Sequence, residues 1–264
     1  KQRKIAVFIP AYREDAVILS TAESALAGNY PPEKYEVIVI ADHLKPETLR
    51  SLKALPITVI PVAFVKSSKS RALNHALAYL RQWERQDFDL AVVLDADNVM
   101  APDFLEIVNQ KSASGYRAIQ GRRVAKNHQS DFALLDAASE DINNHILCKG
   151  HQAAGLSARL AGSGMAFEFR LFENTLQKID ALGGFDKEME LRLTQQGIFI
   201  HYAENALVWD EKVGQKDVYK RQRGRWMAAQ YRYAGRYFAS GWRSLCRDGN
   251  LEHLNKALQM TLPP

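Results

Sequence analysis

This sequence is poor in cysteine, and each feature that it lacks argues against a class of protein. The 264 residues include two cysteines, Cys148 and Cys246, which stand far apart and outside any metal-ligand spacing. That pattern argues against a disulfide scaffold and a zinc site, and it fits a reducing compartment. No stretch approaches the roughly eighteen uninterrupted apolar residues that span a bilayer, and no signal peptide is visible. We expect an ordinary globular chain with an ample core, because 47% of its residues are hydrophobic and 25% are charged.

The two ends of the chain also lack familiar features. The sequence begins at Lys1 rather than at a methionine, and it stops at Pro264 without a polar tail. We expect the chain to be an excised or processed portion of a longer polypeptide. Its flanking segments could contain membrane spans, so the lack of an apolar run here does not exclude one in the parent protein.

Acidic residues are missing from the segment 219–247, although the chain has 30 of them. The segment holds eight basic residues, which outweigh the net charge of +5 of the whole chain: Lys220, Arg221, Arg223, Arg225, Arg232, Arg236, Arg243 and Arg247. Aromatic residues are interleaved with them: Tyr219, Trp226, Tyr231, Tyr233, Tyr237, Phe238 and Trp242. This composition suits an amphipathic helix at lipid headgroups, a phosphate-rich ligand or nucleic acid.

Hydrophobic periodicity predicts an α/β fold. In the first 115 residues, predicted strands (4–10, 35–40, 57–62 and one from 90) alternate with predicted helices (17–27, 46–55 and 68–85). This order implies βαβ units, right-handed crossovers and a mostly parallel sheet. The rhythm then changes, with helices predicted from 102, at 131–149 and at 187–196, and strands at 116–122 and 198–202. Since no linker or repeat interrupts the chain, the sequence predicts one continuous domain.

The most informative stretch is 90–97, an apolar strand that ends in the carboxylates Asp95 and Asp97. Ligands bind at the carboxyl ends of strands in open parallel sheets, and side chains two apart project from one side of an extended backbone. Such a pair suits Mg²⁺ or Mn²⁺ carrying a diphosphate, because Mg²⁺ sites use one or two carboxylates plus substrate phosphates. The alternative is a solvated strand end whose aspartates cap the next helix, and the local pattern leaves both open.

Two further candidates lie in the first half of the chain. Pro10-Ala-Tyr-Arg-Glu14 follows the first predicted strand, and Asp42 ends the second. Acids at adjacent strand ends can hydrogen-bond a base or a ribose, or they can simply cap helices. Lys69 and Arg71 lie near a predicted helix N-terminus, which favours an anion, although a solvated basic turn explains them equally well.

Two more candidates lie in the second half. The segment 186–190 contains three acids, and a carboxylate there could deprotonate a sugar hydroxyl or merely complement the helix dipole. The segment 222–226 combines Arg225, whose planar guanidinium suits a diphosphate, with Trp226, whose flat ring can stack on a sugar. The alternative for this second segment is a membrane-surface helix with no catalytic part.

Taken in order, these motifs resemble those of the family 2 glycosyltransferases of the GT-A fold. More narrowly, they resemble the membrane-associated synthases related to bacterial cellulose and hyaluronan synthases. The resemblance spans residues 5 to about 230 and rests on five matches: the first-strand signature 7–14, Asp42, Lys69-Ser-Arg-Ala-Leu-Asn74, Asp95-Ala-Asp97 and Gln222-Arg-Gly-Arg-Trp226. Each motif alone is short, whereas five in the same order are specific. Arg13 is a departure, because the signature usually ends in Asn-Glu.

The resemblance implies a role for each matching residue. The donor-binding residues would be Pro10, Tyr12, Glu14, Asp42, Lys69, Asp95 and Asp97, and Asp97 with Asp95 would hold Mg²⁺ or Mn²⁺. Gln222, Arg225 and Trp226 would act in catalysis at the acceptor end, which the loop Gly162-Ser-Gly164 would line.

The motif that carries the general base departs from the family's pattern. The family's Thr-Glu-Asp motif is absent as such, and the nearest match places Glu188 where the basic Asp would stand. Lys187 then replaces an acid, and Glu190 is the next candidate. Glu is chemically equivalent to Asp as a base.

The implied fold is a single GT-A domain over 1–264, with a Rossmann-like, mostly parallel sheet, helices on both faces and a smaller acceptor-side subregion. Within it, 1–115 would form the nucleotide-sugar half, 116–218 the acceptor half and 219–264 basic aromatic helices at the membrane interface. The implied localisation is the cytoplasmic face of the inner membrane.

The implied activity is inverting, metal-dependent transfer of a sugar from a nucleotide diphosphate, with a UDP-sugar as the expected donor, to a glycan or lipid-linked acceptor. Expected partners are these substrates and the membrane surface, reached through 219–264 and the flanking segments. Nucleic acid is not expected, because diphosphate and membrane account for the basic segment. The alternatives are a polyprenyl-phosphate glycosyltransferase and an inactive GT-A docking module. A HAD-like phosphatase is disfavoured because the first strand ends in Pro10 without a nucleophilic Asp.

Overall fold

A computed structural model describes residues 1–84, 87–127, 129–179, 183–212 and 216–262 of the chain. The strands in these ranges are β1 (Ile5–Tyr12), β2 (Tyr35–Asp42), β3 (Thr58–Val62), β4 (Leu90–Val93), β5 (Val99–Met100), β6 (Ala118–Ala125), β7 (Met165–Glu168) and β8 (Ile200–Asp210). The helices are α1 (Ile18–Leu26), α2 (Pro46–Lys53), α3 (Lys69–Gln82), α4 (Phe104–Ala113), α5 (Asp131–Asn143), α6 (His151–Ala153), α7 (Phe169–Leu176), α8 (Phe185–Gln195), α9 (Lys216–Asp248) and α10 (Leu251–Gln259). A 3₁₀ turn covers Pro32–Lys34, and π-helical turns at Asn144–Gly150 join α5 to α6.

The strands form one sheet in the order β3-β2-β1-β4-β7-β6-β8-β5. Strands β3, β2, β1 and β4 run parallel to one another, whereas β7 is antiparallel to both β4 and β6. Strand β8 pairs in parallel with β6 and antiparallel with the short β5. The sheet confirms the predicted α/β class and the mostly parallel pairing.

Two apolar clusters cover the two faces of this sheet, because alternate residues of a strand point to opposite faces. In β1, Ala6 and Phe8 belong to the cluster that includes α3, while Ile5, Val7 and Ile9 belong to the cluster that includes α1. Both faces of β1 are therefore buried, which explains its continuous apolar sequence.

Strand β1 passes through Pro10, where the sequence predicted its end. Pro10 pairs with Ile40 of β2, but the pairing of β1 with β4 stops at Phe8. One side of β1 is thus free of a strand neighbour at Pro10, and a residue without an N–H is tolerated there. The longer strand carries Tyr12 to the edge of the sheet beside Asp42.

Four further boundaries differ from the predicted ones. Helix α8 begins at Phe185 rather than at 187, because Gly184 adopts a left-handed backbone (φ 68°) that turns the chain into the helix. Strand β8 continues to Asp210 rather than stopping at 202, and α5 gives way to π-helical turns at Asn144. Helix α3 ends at Gln82, while its predicted last residue, Arg85, lies outside the described residues.

The basic aromatic segment forms α9 and α10, which pack against α8. A small apolar cluster holds the three helices together: Leu191, Ala229, Tyr233, Ala234, Tyr237, Ala257 and Met260. The helices approach closely at Gly241, where a Cβ atom would lie 3.0 Å from the Cβ of Ala257. Over the ranges that the structure describes, no helix combines the length and apolarity that crossing a membrane requires.

Candidate active site

A cleft of about 500 Å³ opens at the carboxyl ends of β1 and β4. These two strands are adjacent and parallel, so the residues that follow them meet at one edge of the sheet. Six of the seven residues predicted to bind the donor line this cleft: Pro10, Tyr12, Glu14, Lys69, Asp95 and Asp97.

The carboxylates of the Asp-x-Asp motif lie in different surroundings. Asp95 forms an ion pair with Lys69, whose amino group also donates to the carbonyl oxygen of Gly162 at 2.6 Å. The Asp97 carboxylate forms no ion pair among the described residues, and burial together with the negative charges of Asp95 and Asp210 raises its pKa to about 6. Negative potential at this end of the cleft is therefore concentrated on Asp97.

Asn98 holds the motif in place. Its side chain is fully buried, and its amide nitrogen donates to Asp97 Oδ1 at 3.0 Å and to Asp210 Oδ1 at 3.4 Å. Its oxygen accepts from the backbone N–H of Asp95 at 3.3 Å and from the hydroxyl of Ser163. One amide thus connects both aspartates of the motif to β8 and to the glycine loop.

The residues that follow β1 and β2 divide between the cleft and the protein interior. Glu14 lines the cleft, and burial together with the charge of Asp95 raises its pKa. Asp42 does not line this cleft: it is buried, with Oδ1 2.6 Å from His43 Nδ1 and 3.3 Å from the backbone N–H of Phe64. His43 packs edge-on against Tyr12, so Asp42 is linked to the cleft wall through one ring.

A buried ion network forms part of the cleft wall, and the sequence analysis did not identify it. Asp210, the last residue of β8, pairs with Arg123 and lies 2.8 Å from Lys212 Nζ, which also donates to Glu140 at 3.2 Å. Burial opposes ionisation of Asp210, but Arg123 and Lys212 outweigh it and lower the pKa of Asp210. These residues are far apart in the chain, and no local pattern marks them.

The predicted bases Glu188 and Glu190 do not face the cleft, which corrects the assignment from sequence. Glu188 is 3% exposed, and its Oε1 accepts from Arg192 at 2.7 Å, Arg236 at 3.2 Å and Tyr237 at 3.2 Å. Its carboxylate joins α8 to α9 and is absent from the cleft lining.

Glu190 also has partners inside the protein. It accepts a hydrogen bond from the backbone N–H of Leu160 at 2.6 Å and lies 3.3 Å from Lys256 Nζ. Asp186 is the acid of this motif that lines the cleft, in the first turn of α8 and beside Gly162. A Cβ atom at Gly162 would lie 3.7 Å from the Asp186 carboxylate.

The segment 222–226 is also only partly as predicted. Gln222 and Trp226, one helical turn apart, line the cleft, whereas Arg225 is exposed and lies outside the cleft lining. Arg223 lines the cleft instead, where it forms an ion pair with Asp136 at 3.3 Å.

Comparisons with known proteins agree with this arrangement. A sequence model described as glycosyltransferase like family 2 matches residues 2–229. The chain is 25% identical over 245 residues to the probable glycosyltransferase YdaM of Bacillus subtilis. The aligned region covers 84% of this chain and 54% of that protein. It is 24% identical over 257 residues to a beta-monoglucosyldiacylglycerol synthase of Synechocystis, and the aligned region covers 92% of this chain and 50% of that protein. The chain thus spans about half the length of these two curated relatives.

Two solved structures share the fold. The mannosyltransferase PcManGT from Pyrobaculum calidifontis, in complex with GDP-Man and Mn²⁺, superposes with a TM-score of 0.62 at 17% identity, over 98% of this chain and 74% of that one. TarS of S. aureus, in complex with UDP-GlcNAc, superposes with a TM-score of 0.55 at 15% identity, over 81% of this chain and 60% of that one. The family match covers most of the chain, and the sheet, the cleft and the ordered motifs agree with it. The chain is a glycosyltransferase domain that belongs to family 2 and has the GT-A fold.

Proposed function

We propose that this domain transfers a sugar from a nucleoside diphosphate donor, expected to be a UDP-sugar, to a hydroxyl group of a glycan or lipid-linked acceptor, with inversion at the anomeric carbon. The observation that carries the proposal is one cleft whose lining includes both the Asp95–Asp97 pair and Asp186. A carboxylate pair for the donor and a separate carboxylate for the acceptor are the groups that a single displacement requires.

The residues present fit a divalent cation. Burial and two neighbouring acids raise the pKa of Asp97, which indicates negative potential that a cation would relieve. Among the described residues, no group of three His, Cys, Asp or Glu side chains could hold a metal. Two carboxylates nevertheless suffice where a diphosphate supplies further oxygens. Asp97, with Asp95, would hold Mg²⁺ or Mn²⁺, and the ion would neutralise charge on the departing diphosphate.

The other residues divide the remaining tasks. Asp186 accepts the proton of the acceptor hydroxyl while the new C–O bond forms and the bond to the diphosphate breaks. Trp226 offers a flat apolar surface for a sugar ring, and Gln222 offers hydrogen bonds one turn away on the same helix face. Lys69 holds Asp95 in position through their ion pair.

The surface of α9 supports action next to a membrane. Met227, Tyr231, Phe238 and Trp242 are exposed large apolar or aromatic side chains. Arg225, Arg232, Arg236 and Arg243 are exposed among them, so the surface combines apolar insertion with attraction to anionic lipid. A synthase of a glycolipid among the relatives supports the same placement. We propose that the domain acts at the cytoplasmic face of the membrane.

The donor half of the proposal is tested by calorimetric titration of UDP, with GDP as the control, in the presence and absence of Mn²⁺. We expect metal-dependent binding that prefers UDP and that is lost in Asp97→Ala. Asp141→Ala, an exposed acid on α5, is the matched control and should bind like the wild type. Failure of folded protein to bind either nucleotide would refute the transferase reading and favour an inactive docking module.

A further inference from the structure

Two basic side chains that line the cleft form no ion pair within the part of the chain that the structure describes. Arg159 and Lys187 line both the cleft and a small adjoining cavity of about 70 Å³. Neither forms an ion pair with any carboxylate among the residues that the structure describes. The guanidinium of Arg159 donates no hydrogen bond within those residues, and the amino group of Lys187 has one neutral acceptor, Gln230 Oε1 at 3.2 Å.

The other basic groups of this region are already matched. Arg123 and Lys212 pair with Asp210, and Arg223 pairs with Asp136. Glu190 lines the small cavity, where its Oε2 accepts from the Leu160 N–H and its Oε1 lies 3.3 Å from Lys256 Nζ. Arg159 and Lys187 thus add two positive charges to one pocket without a contacting counter-charge.

Lys187 is also strongly buried, with 7% of its surface exposed. A buried ammonium group without a counter-ion is costly, and a second cation beside it adds to the cost. Burial and the charge of Arg159 both lower the pKa of Lys187, although Asp186 and Glu190 act in the opposite direction from beyond contact distance. An anion between the two cations would remove this cost.

The backbone favours an anion at the same place. Lys187 lies in the first turn of α8, where the N–H groups of the helix start are free and the helix dipole is positive. Asp186 precedes Lys187 in the chain, so an anion held here would lie beside the proposed base.

We propose that Arg159 and Lys187 form a subsite for a phosphate group carried by the acceptor. The inference deepens the proposed function and rests on it, since it names the acceptor as a phosphate-bearing molecule. A phosphate monoester fits a planar guanidinium and an ammonium group together, because the first binds two oxygens and the second supplies a point charge.

The test uses glycerol 3-phosphate as the probe, titrated into protein that already holds saturating UDP and Mg²⁺. Wild-type protein should bind the probe, and Arg159→Gln and Lys187→Met should each weaken binding about ten- to a hundredfold, as expected for loss of one charge-assisted contact. Arg159→Lys should retain most of the affinity. Arg50→Gln, whose side chain is 77% exposed on α2, is the matched control and should not change it.

UDP affinity, measured in the same variants, separates the two proposals. Unchanged UDP binding with lost probe binding supports the subsite. If the wild-type UDP complex does not bind the probe, the subsite proposal is overturned and the donor site is unaffected. Weaker UDP binding in the variants also overturns the subsite proposal, because Arg159 and Lys187 would then bind the donor diphosphate. If the wild-type protein itself does not bind UDP, the proposed function is refuted instead.

The phosphate could belong to a lipid or to a soluble glycan, and vesicles distinguish the two sources. Neutral phosphatidylcholine vesicles are prepared with and without lysophosphatidic acid, a lipid that carries both a phosphate monoester and a free hydroxyl group. Co-sedimentation that requires the phosphate lipid and falls at least tenfold in Arg159→Gln identifies a lipid-borne phosphate. Probe binding without this lipid dependence identifies a phosphate on a soluble acceptor. Both results support the subsite, whereas lipid-dependent sedimentation that is equal in wild type and Arg159→Gln, together with absent probe binding, overturns it.

Discussion

Asp186→Asn and Glu188→Gln should have opposite effects, although the two acids are two residues apart. Asp186 lines the cleft and forms no ion pair within the described residues. Glu188 is buried between α8 and α9, where it accepts from Arg192, Arg236 and Tyr237. We expect the first substitution to abolish turnover in a stable protein and the second to destabilise a protein that still turns over.

The magnitudes follow from these contacts. A positioned general base contributes about 10²- to 10⁴-fold to the rate, so Asp186→Asn should lower kcat by that factor with little change in donor KM. Glu188→Gln removes the charge opposite Arg192, whose side chain is 18% exposed. Because Arg236 is largely solvated, we assign the loss mainly to Arg192 and Tyr237, at about 2–3 kcal/mol. For a domain of this size that corresponds to roughly 5–10 °C in Tm.

The assay is release of UDP from the donor sugar, measured as initial rates well below the Tm of each variant. Thermal unfolding and UDP titration on the same samples show that both variants are folded and bind the donor. The reasoning would be refuted if Glu188→Gln abolished turnover at unchanged Tm, or if Asp186→Asn kept full activity. Either result would return the role of base to Glu188 and require α8 to turn toward the cleft.

Three further predictions concern the rest of the fold and site. His201 is 7% exposed and stacked on Tyr116, and burial lowers its pKa from 6.5 to about 4. Because the unfolded chain binds more protons than the folded one between these pH values, the free energy of unfolding should fall by up to roughly 3 kcal/mol as the pH drops from 6.5 to 4. Urea titrations should show this dependence on pH in the wild type and a weaker one in His201→Phe. Gly121→Ala should destabilise the protein by about 2 kcal/mol or more in the same titrations, because the new Cβ would lie 2.7 Å from the carbonyl oxygen of Ala206; an unchanged midpoint would contradict the close packing of β6 on β8. Asn98→Ala should weaken Mn²⁺-dependent UDP binding about 10- to 100-fold, because Asp97 loses the amide that orients it. Equal Mn²⁺ dependence of UDP binding in the variant and the wild type would show that Asn98 has no such role.

Much of the donor half could be predicted from the sequence because its information is local. A strand with both faces buried is apolar throughout, and a parallel sheet brings the residues after β1 and β4 to one edge. Pro10, Tyr12, Glu14, Asp95 and Asp97 were therefore expected at one site, and the structure places all five in the cleft. The order of the motifs likewise sufficed to indicate the family.

The acceptor half was decided by tertiary structure, because helix periodicity fixes the angles between side chains but not which face meets the cleft. Asp186 and Glu188 lie about 200° apart around α8, and packing against α9 buries the second and leaves the first in the cleft. In α9 the same choice turns Arg223 inward and Arg225 outward. The pairing of Arg123 and Lys212 with Asp210 arises only when the second half folds onto the sheet, and so does the placement of Arg159 and Lys187 without an ion pair among the described residues. The residues themselves determined the fold, the family and the donor carboxylates, whereas the packing of α8 and α9 decided which charges remain available for chemistry.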